Sequence, residues 1–156
     1  MNARKYLRAL LFTAAIALCA ALAGCGPSEF QRSMFDAEAP VLMAADSYWY
    51  RDNSKTILDN RYSAAFREFT GADTLWGSLD EPAVGNVTLS GSADIDSGDF
   101  KLVLISESDV TVFYDASAGE SDFSWTGDLS KGRWRVKMVG RGAEGTLDIQ
   151  LPGQPS

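Results

Sequence analysis

The chain of 156 residues contains no histidine. That excludes His-based nucleophilic triads and the usual zinc sites, and it removes the side chain best suited to proton transfer near neutral pH. Cysteine is almost as scarce: there are two, Cys19 and Cys25, both near the N-terminus. No glycine-rich phosphate loop, Ser-x-x-Lys motif or nucleophile elbow occurs. Catalysis would have to rest on carboxylates, Lys, Tyr or a Ser-Lys pair. Basic residues are outnumbered, with 14 Lys and Arg against 21 Asp and Glu. Such an acidic balance favours solubility and argues against nucleic acid or anionic lipid as a partner. Long hydrophobic runs are missing too. The apolar stretch from Ala9 to Leu22 is shorter than the roughly 20 residues a membrane-spanning helix needs.

What surrounds that stretch gives it a meaning. Arg4, Lys5 and Arg8 precede it, and Leu22-Ala23-Gly24-Cys25 ends it. A basic start, a short apolar run and small residues at a cleavage point make a signal segment. The last four residues resemble the lipobox of bacterial lipoproteins. The resemblance implies removal of residues 1–24 as a signal peptide and acylation of Cys25, with palmitate among the chains. Each buried methylene contributes about 0.8 kcal/mol, so two or more chains anchor a protein stably to a membrane. The competing reading is a plain secretory signal cut near Ala23, with Cys25 unmodified. Residue 26 is Gly. In lipoprotein sorting an Asp there implies inner-membrane retention, so the expected site is the outer membrane, or the outer face of a single cell membrane. The localisation is then extracytoplasmic and lipid-anchored. Cys19 leaves with the leader, and no cysteine remains for a disulfide, a thiolate nucleophile or a metal. Cleavage removes three basic residues and no acidic one, leaving a formal charge of −10.

The remainder divides into a lipidated tether at 25–30, a helical N-terminal segment at 31–72 that packs on a sheet, a β-sandwich at 73–152 and a tail at 153–156. Pro40 suits the first position of a short helix, with Leu42, Ala45 and Trp49 on one face, although Tyr48-Trp49-Tyr50 reads equally well as extended. Asp59 is placed to cap a helix over 60–69, on which Tyr62, Phe66 and Phe69 make one aromatic stripe and Gly71 a stop. From Thr74 the period becomes two. Strands are expected over 74–79, 86–95 and 100–105, then around 110–114 and 123–125, and finally over 133–139 and 146–151. Turns are expected at Ser97-Gly98, Glu107–Asp109, Ala118–Glu120 and Arg141-Gly142. The fold class is α+β, mostly β: an antiparallel sandwich, jelly-roll-like, of six or seven strands behind one or two short helices. No strand is followed by a long helical crossover, which disfavours a parallel sheet.

Four stretches carry a wider resemblance: Phe66-Arg67-Glu68-Phe69-Thr70-Gly71, Gly98-Asp99-Phe100-Lys101-Leu102, Gly132-Arg133-Trp134-Arg135-Val136 and Gly145-Thr146-Leu147-Asp148-Ile149. Together they resemble small uncharacterised bacterial lipoproteins with a compact β domain. The last two strands look like the end of jelly-roll accessory domains of pre-peptidase and carbohydrate-binding type. The resemblance implies a fold and an extracytoplasmic location. It implies no activity.

Several residues invite a site, and each has a plainer reading. Asp94, Asp96 and Asp99 around Gly98 suggest calcium, which wants about six to eight oxygens. No Glu closes the loop, and turn chemistry explains the same residues. Arg133, Arg135 and Lys137 form a basic stripe suited to an anionic glycan. A solvated face paired with acids such as Asp148 explains it equally well. Trp49 and Trp76 are candidate stacking platforms for sugars. Trp49 also suits a membrane interface, whereas Trp125 and Trp134 alternate as core residues do. Asp80/Glu81 and Glu120/Asp122 are carboxylate pairs, but glycoside hydrolysis needs two acids about 5–9.5 Å apart across a cleft. Asn86-Val87-Thr88 matches a glycosylation acceptor and reads as a strand start. The sum is a non-enzymatic envelope lipoprotein, a binding or assembly module without a cofactor, whose partner is an envelope protein or glycan. The alternatives are a carbohydrate-binding module and a carboxylate-dependent hydrolase.

Overall fold

The computed structural model describes residues 26–78, 85–129 and 132–153. Two short helices, α1 (Glu29–Ser33) and α2 (Glu38–Leu42), come first. Seven strands follow: β1 (Ser47–Trp49), β2 (Asp52–Leu58), β3 (Arg61–Gly77), β4 (Asn86–Ile105), β5 (Val110–Asp115), β6 (Asp122–Asp128) and β7 (Arg135–Gln150). All pairing is antiparallel, within one sheet. β7 is central between β3 and β4. β1 and β2 share the outer edge of β3, and β5 and β6 share that of β4. The mostly antiparallel, sandwich-like α+β architecture expected from the alternation is present, with both helices ahead of the strands.

The sandwich arises because three strands are too long to stay flat. β3, β4 and β7 run for 17, 20 and 16 residues, well beyond the usual 3–10. All three break register at one level. β3 does so between Phe66 and Phe69, and β4 between Ile95 and Asp99. Glu68, Gly98 and Gly142 have positive φ there (53°, 79° and 63°). Bulges of this kind bend a strand and strengthen its twist. The sheet therefore folds over itself. Layer one holds β2, β6 and the halves of β3, β7 and β4 nearest them. Layer two holds β1, β5 and the other halves. Two glycines at the corner are obligatory. A Cβ on Gly98 would overlap the Gly142 carbonyl, and one on Gly145 would overlap that of Asp94.

The core lies between the layers. Tyr62, Phe66, Leu89 and Ile149 enter from layer one, and Phe69, Phe100, Leu102 and Met138 from layer two. Phe66 stacks on Phe100 at 5.3 Å between ring centroids, and Tyr50 on Phe69 at 4.8 Å. Fully burying a ring or a large aliphatic side chain contributes about 1.5–3 kcal/mol.

Three local expectations are corrected. The helix over 60–69 is the first part of β3. Asp59 and Asn60 do not cap it; both have positive φ (50° and 64°) and make the two-residue turn of the β2–β3 hairpin. Tyr62 and Phe66 share a strand face, and the bulge returns Phe69 to that face, which mimics helical spacing. The helical face of Leu42, Ala45 and Trp49 is not formed, since α2 ends at Leu42; the extended alternative for the Tyr48-Trp49-Tyr50 run holds, with Trp49 in β1. Finally, Ser97-Gly98 and Arg141-Gly142 are not turns between strands but the corners inside β4 and β7. A left-handed glycine serves a bulge and a hairpin alike.

The outer faces of the layers differ. In layer two Ala72, Val103, Ile105 and Val139 point outward and are apolar. Residues 29–46 run over them as a strap, burying Met34 and Val41 with Phe35 and Leu42 alongside. A reciprocal capping box between Ser28 and Gln31 starts α1. In layer one the outward row of Thr56, Ser63, Asp148 and Ser92 crosses four strands in register, and the strap does not run over it.

Candidate functional site

β1 and β2 together line one edge of the sandwich, the β1–β2 rim. Every residue of β2 is exposed, including Asn53, Lys55 and Ile57, which alternate toward the interior side with Phe66, Ala64 and Tyr62. Behind this lip stands Asp73, on the interior face of β3 and only 7% exposed. Tyr50 donates its hydroxyl to Asp73 Oδ2 at 3.1 Å, and Tyr62 is buried nearby.

The electrostatics follow from burial. Desolvation raises the Asp73 carboxyl above its ordinary value. The Tyr50 hydrogen bond and the charges of Lys55 and Lys137 oppose the rise, while Asp46 adds to it. Burial first, and then the Asp73 charge, push both Tyr50 and Tyr62 upward, so both stay neutral hydroxyls. The rim thus sets an exposed lysine on the lip in front of a nearly buried carboxylate that already accepts from Tyr50. That set suits hydrogen bonding to a hydroxyl- or ammonium-bearing ligand. The other acid that influences Asp73, Asp46, bonds Thr74 on the opposite face of β3, so these two do not make a convergent pair. Sequence reasoning missed Asp73. The available signal was a charged residue in phase with Phe69 and Gly71 on an interior face.

The basic stripe has a different occupation. Arg135 donates from its two terminal nitrogens to the carbonyls of Met43 and Leu42, both at 2.7 Å. Lys137 is 0% exposed; it donates to Met43 O at 2.9 Å and pairs with Asp46 at 3.0 Å. These cations hold the orphan carbonyls at the end of α2. Lys101 donates to Phe35 O at 2.7 Å and lies over the Phe35 ring. Arg141 bridges Asp36 and Asp99. The stripe is the clasp of the strap. Arg133 alone of the three stays exposed, beside a shallow depression lined by Ser78, Ser106, Glu107 and Arg135. The pairing expected with Asp148 is not made. Asp148 accepts instead from Arg61 at 2.7 Å and Ser63 at 2.8 Å. Burial alone would raise its carboxyl, but those bonds hold it below the usual range.

Asp94 and Asp96 are exposed on β4 before the corner, and Asp99, beyond it, is taken by Arg141 at 2.8 Å. They lie along a bent strand rather than around a loop. Among the described residues no group of three or more His, Cys, Asp or Glu side chains is placed to hold one ion. Trp76 is 4% exposed and presents no stacking face, and its Nε1 has no partner among the described residues. Trp125 and Trp134 pack against the core as the alternation requires. Trp49 is half-exposed on the outward face of β1. Glu120, just before β6, and Asp122, its first residue, are both exposed. Cys25, Asp80 and Glu81 lie outside the described residues. No helix among the described residues is long and apolar enough to cross a membrane. Compared with protein-family models, curated proteins and solved structures, the chain matches none of them.

Proposed function

We propose that this protein is a lipid-anchored lipoprotein of the cell envelope whose β-sandwich is a non-catalytic binding or assembly module outside the cytoplasm. One observation carries the reading: the Leu22-Ala23-Gly24-Cys25 box at the end of a basic start and a short apolar run. The fold is compatible with it. The described core begins at Met34, so cleavage before Cys25 removes none of the described core. Binding is assigned to the β1–β2 rim, where Asp73, Tyr50 and Lys55 offer polar groups beside an uncovered strand. The test is growth with an alkyne-tagged palmitate, followed by capture and mass analysis of the N-terminal peptide. A cleaved, acylated Cys25 is expected, together with loss of both label and membrane fractionation in Cys25→Ala. An unmodified N-terminus in the membrane fraction, or label retained by Cys25→Ala, overturns the proposal.

A further inference from the structure

The connection between Cys25 and the folded domain is short. Three residues, Gly26, Pro27 and Ser28, separate Cys25 from α1. A chain spans at most about 3.3–3.6 Å per residue, so α1 begins within roughly 14 Å of the Cys25 Cα. A compact domain of this size is roughly 35 Å across. A domain on such a leash cannot present an arbitrary side to the bilayer. The side bearing the start of α1 must face it.

That side has the surface chemistry of a membrane interface. α1 packs against β1 and β3. Phe30 on α1 is 45% exposed, although Met34 one turn later is buried. Trp49 sits opposite Thr70, on the same outward face of layer two as Ala72, which the strap covers. Tyr48 at the same edge is also exposed. Aromatic rings with one polar atom favour the headgroup region. Charge does not oppose contact here. Glu29 and Arg32 offset each other on α1, and Arg51 and Glu68 are paired at 2.7 Å. On the rest of the strap Asp36 is paired with Arg141 and Asp46 with Lys137, and further acids lie on β4 and the β4–β5 turn.

We infer that the α1–β1 rim rests on the bilayer surface, with Phe30 and Trp49 at headgroup depth. The surface engaged is a zwitterionic lipid face. The inference rests on the acylation of Cys25 proposed above.

The test uses the full chain, processed in cells and reconstituted into phosphatidylcholine vesicles whose acyl chains are brominated near the headgroup. Flotation reports the anchor, and tryptophan quenching reports the docking. The expected result is quenching of up to the share of one tryptophan in four, lost in Trp49→Phe and kept in Trp134→Phe. Phe30→Trp should add quenching, which keeps the test open should Trp49→Phe fold poorly. Protein that floats, but whose emission is unaffected by bromine in both the parent and Phe30→Trp, overturns the docking alone. Protein that does not float overturns the anchor reading, and this inference with it.

Discussion

Layer one and layer two are made from the same three long strands, yet their outer faces are opposites. Layer one turns Thr56, Ser63, Asp148 and Ser92 to solvent. Layer two turns Ala72, Val103, Ile105 and Val139 outward and needs a roof. The difference lies in the corner. In β4 the interior positions are odd before it (Val87, Leu89, Ala93) and even after it (Phe100, Leu102, Leu104). In β7 they pass from even (Val136, Met138) to odd (Leu147, Ile149). Each break in the ladder resets the alternation, so both halves keep an apolar interior while their exteriors are chosen independently. A second apolar face cannot be left in water. The strap removes it, and the clasp of Lys101, Arg135, Lys137 and Arg141 satisfies the strap's backbone carbonyls and carboxylates.

The largest test of this contrast is to damage the corner itself. Gly145 has φ 155° and no room for a Cβ, so Gly145→Val should destabilise by more than about 3 kcal/mol and abolish folding in a marginal domain. Gly119 also has positive φ but open space around it, so Gly119→Ala should cost only the left-handed backbone strain of about 1–2 kcal/mol. Urea unfolding followed by tryptophan emission separates the two. Next, Met34→Ala should cost about 2–4 kcal/mol and speed hydrogen exchange in residues 29–46 before it affects layer one. Equal loss of protection in both layers would mean that the strap is not a separable roof.

Asp46→Asn leaves a fully buried ammonium without its counter-charge. Breaking a wholly buried pair costs about 3–5 kcal/mol. Solvent reaches the Asp46 side chain, which is 27% exposed, so about 2 kcal/mol is expected in thermal or urea unfolding. Thr126→Ala, on the bare face, should stay within about 0.5 kcal/mol, the smallest change in the series.

The carboxylates divide by pH not between the layers but between outer faces and interior. Asp46 and Asp148 titrate below the ordinary Asp value when folded. Their stabilisation is present above that value and is lost as pH falls through their folded values. Asp73 is raised, so its sign is reversed. It favours the native state in acid, and that advantage disappears as pH climbs from the ordinary Asp value through the folded one. The stability of wild type relative to Asp73→Asn should therefore decrease over that interval, as read by urea titrations at stepped pH. A flat difference would place Asp73 in open solvent.

Much of the framework was legible because alternation is local. The interior faces of β4, β6 and β7 were read from Val87, Leu89, Phe100, Leu102, Phe123, Val136 and Ile149. The run Leu102–Ile105 is apolar on both faces, and only the structure showed the strap that covers the second. The first half of β3 was not legible, since a bulge after Phe66 gives an aromatic strand the i, i+4, i+7 spacing of a helix. Nor was the rim, because what makes Asp73 unusual is the neighbours it meets, Tyr50 across a 23-residue separation and Lys55 from the lip.

By itself the sequence determined which residues alternate and where the backbone accepts a left-handed turn, because these depend on near neighbours along the chain. Only the tertiary structure decided whether a left-handed glycine ends a strand or bends it. It also decided whether a row of cations faces water or grips a strap, and whether an aspartate is solvated or enclosed. Each of those outcomes depends on which distant backbone closes over the residue, and so on burial rather than on composition.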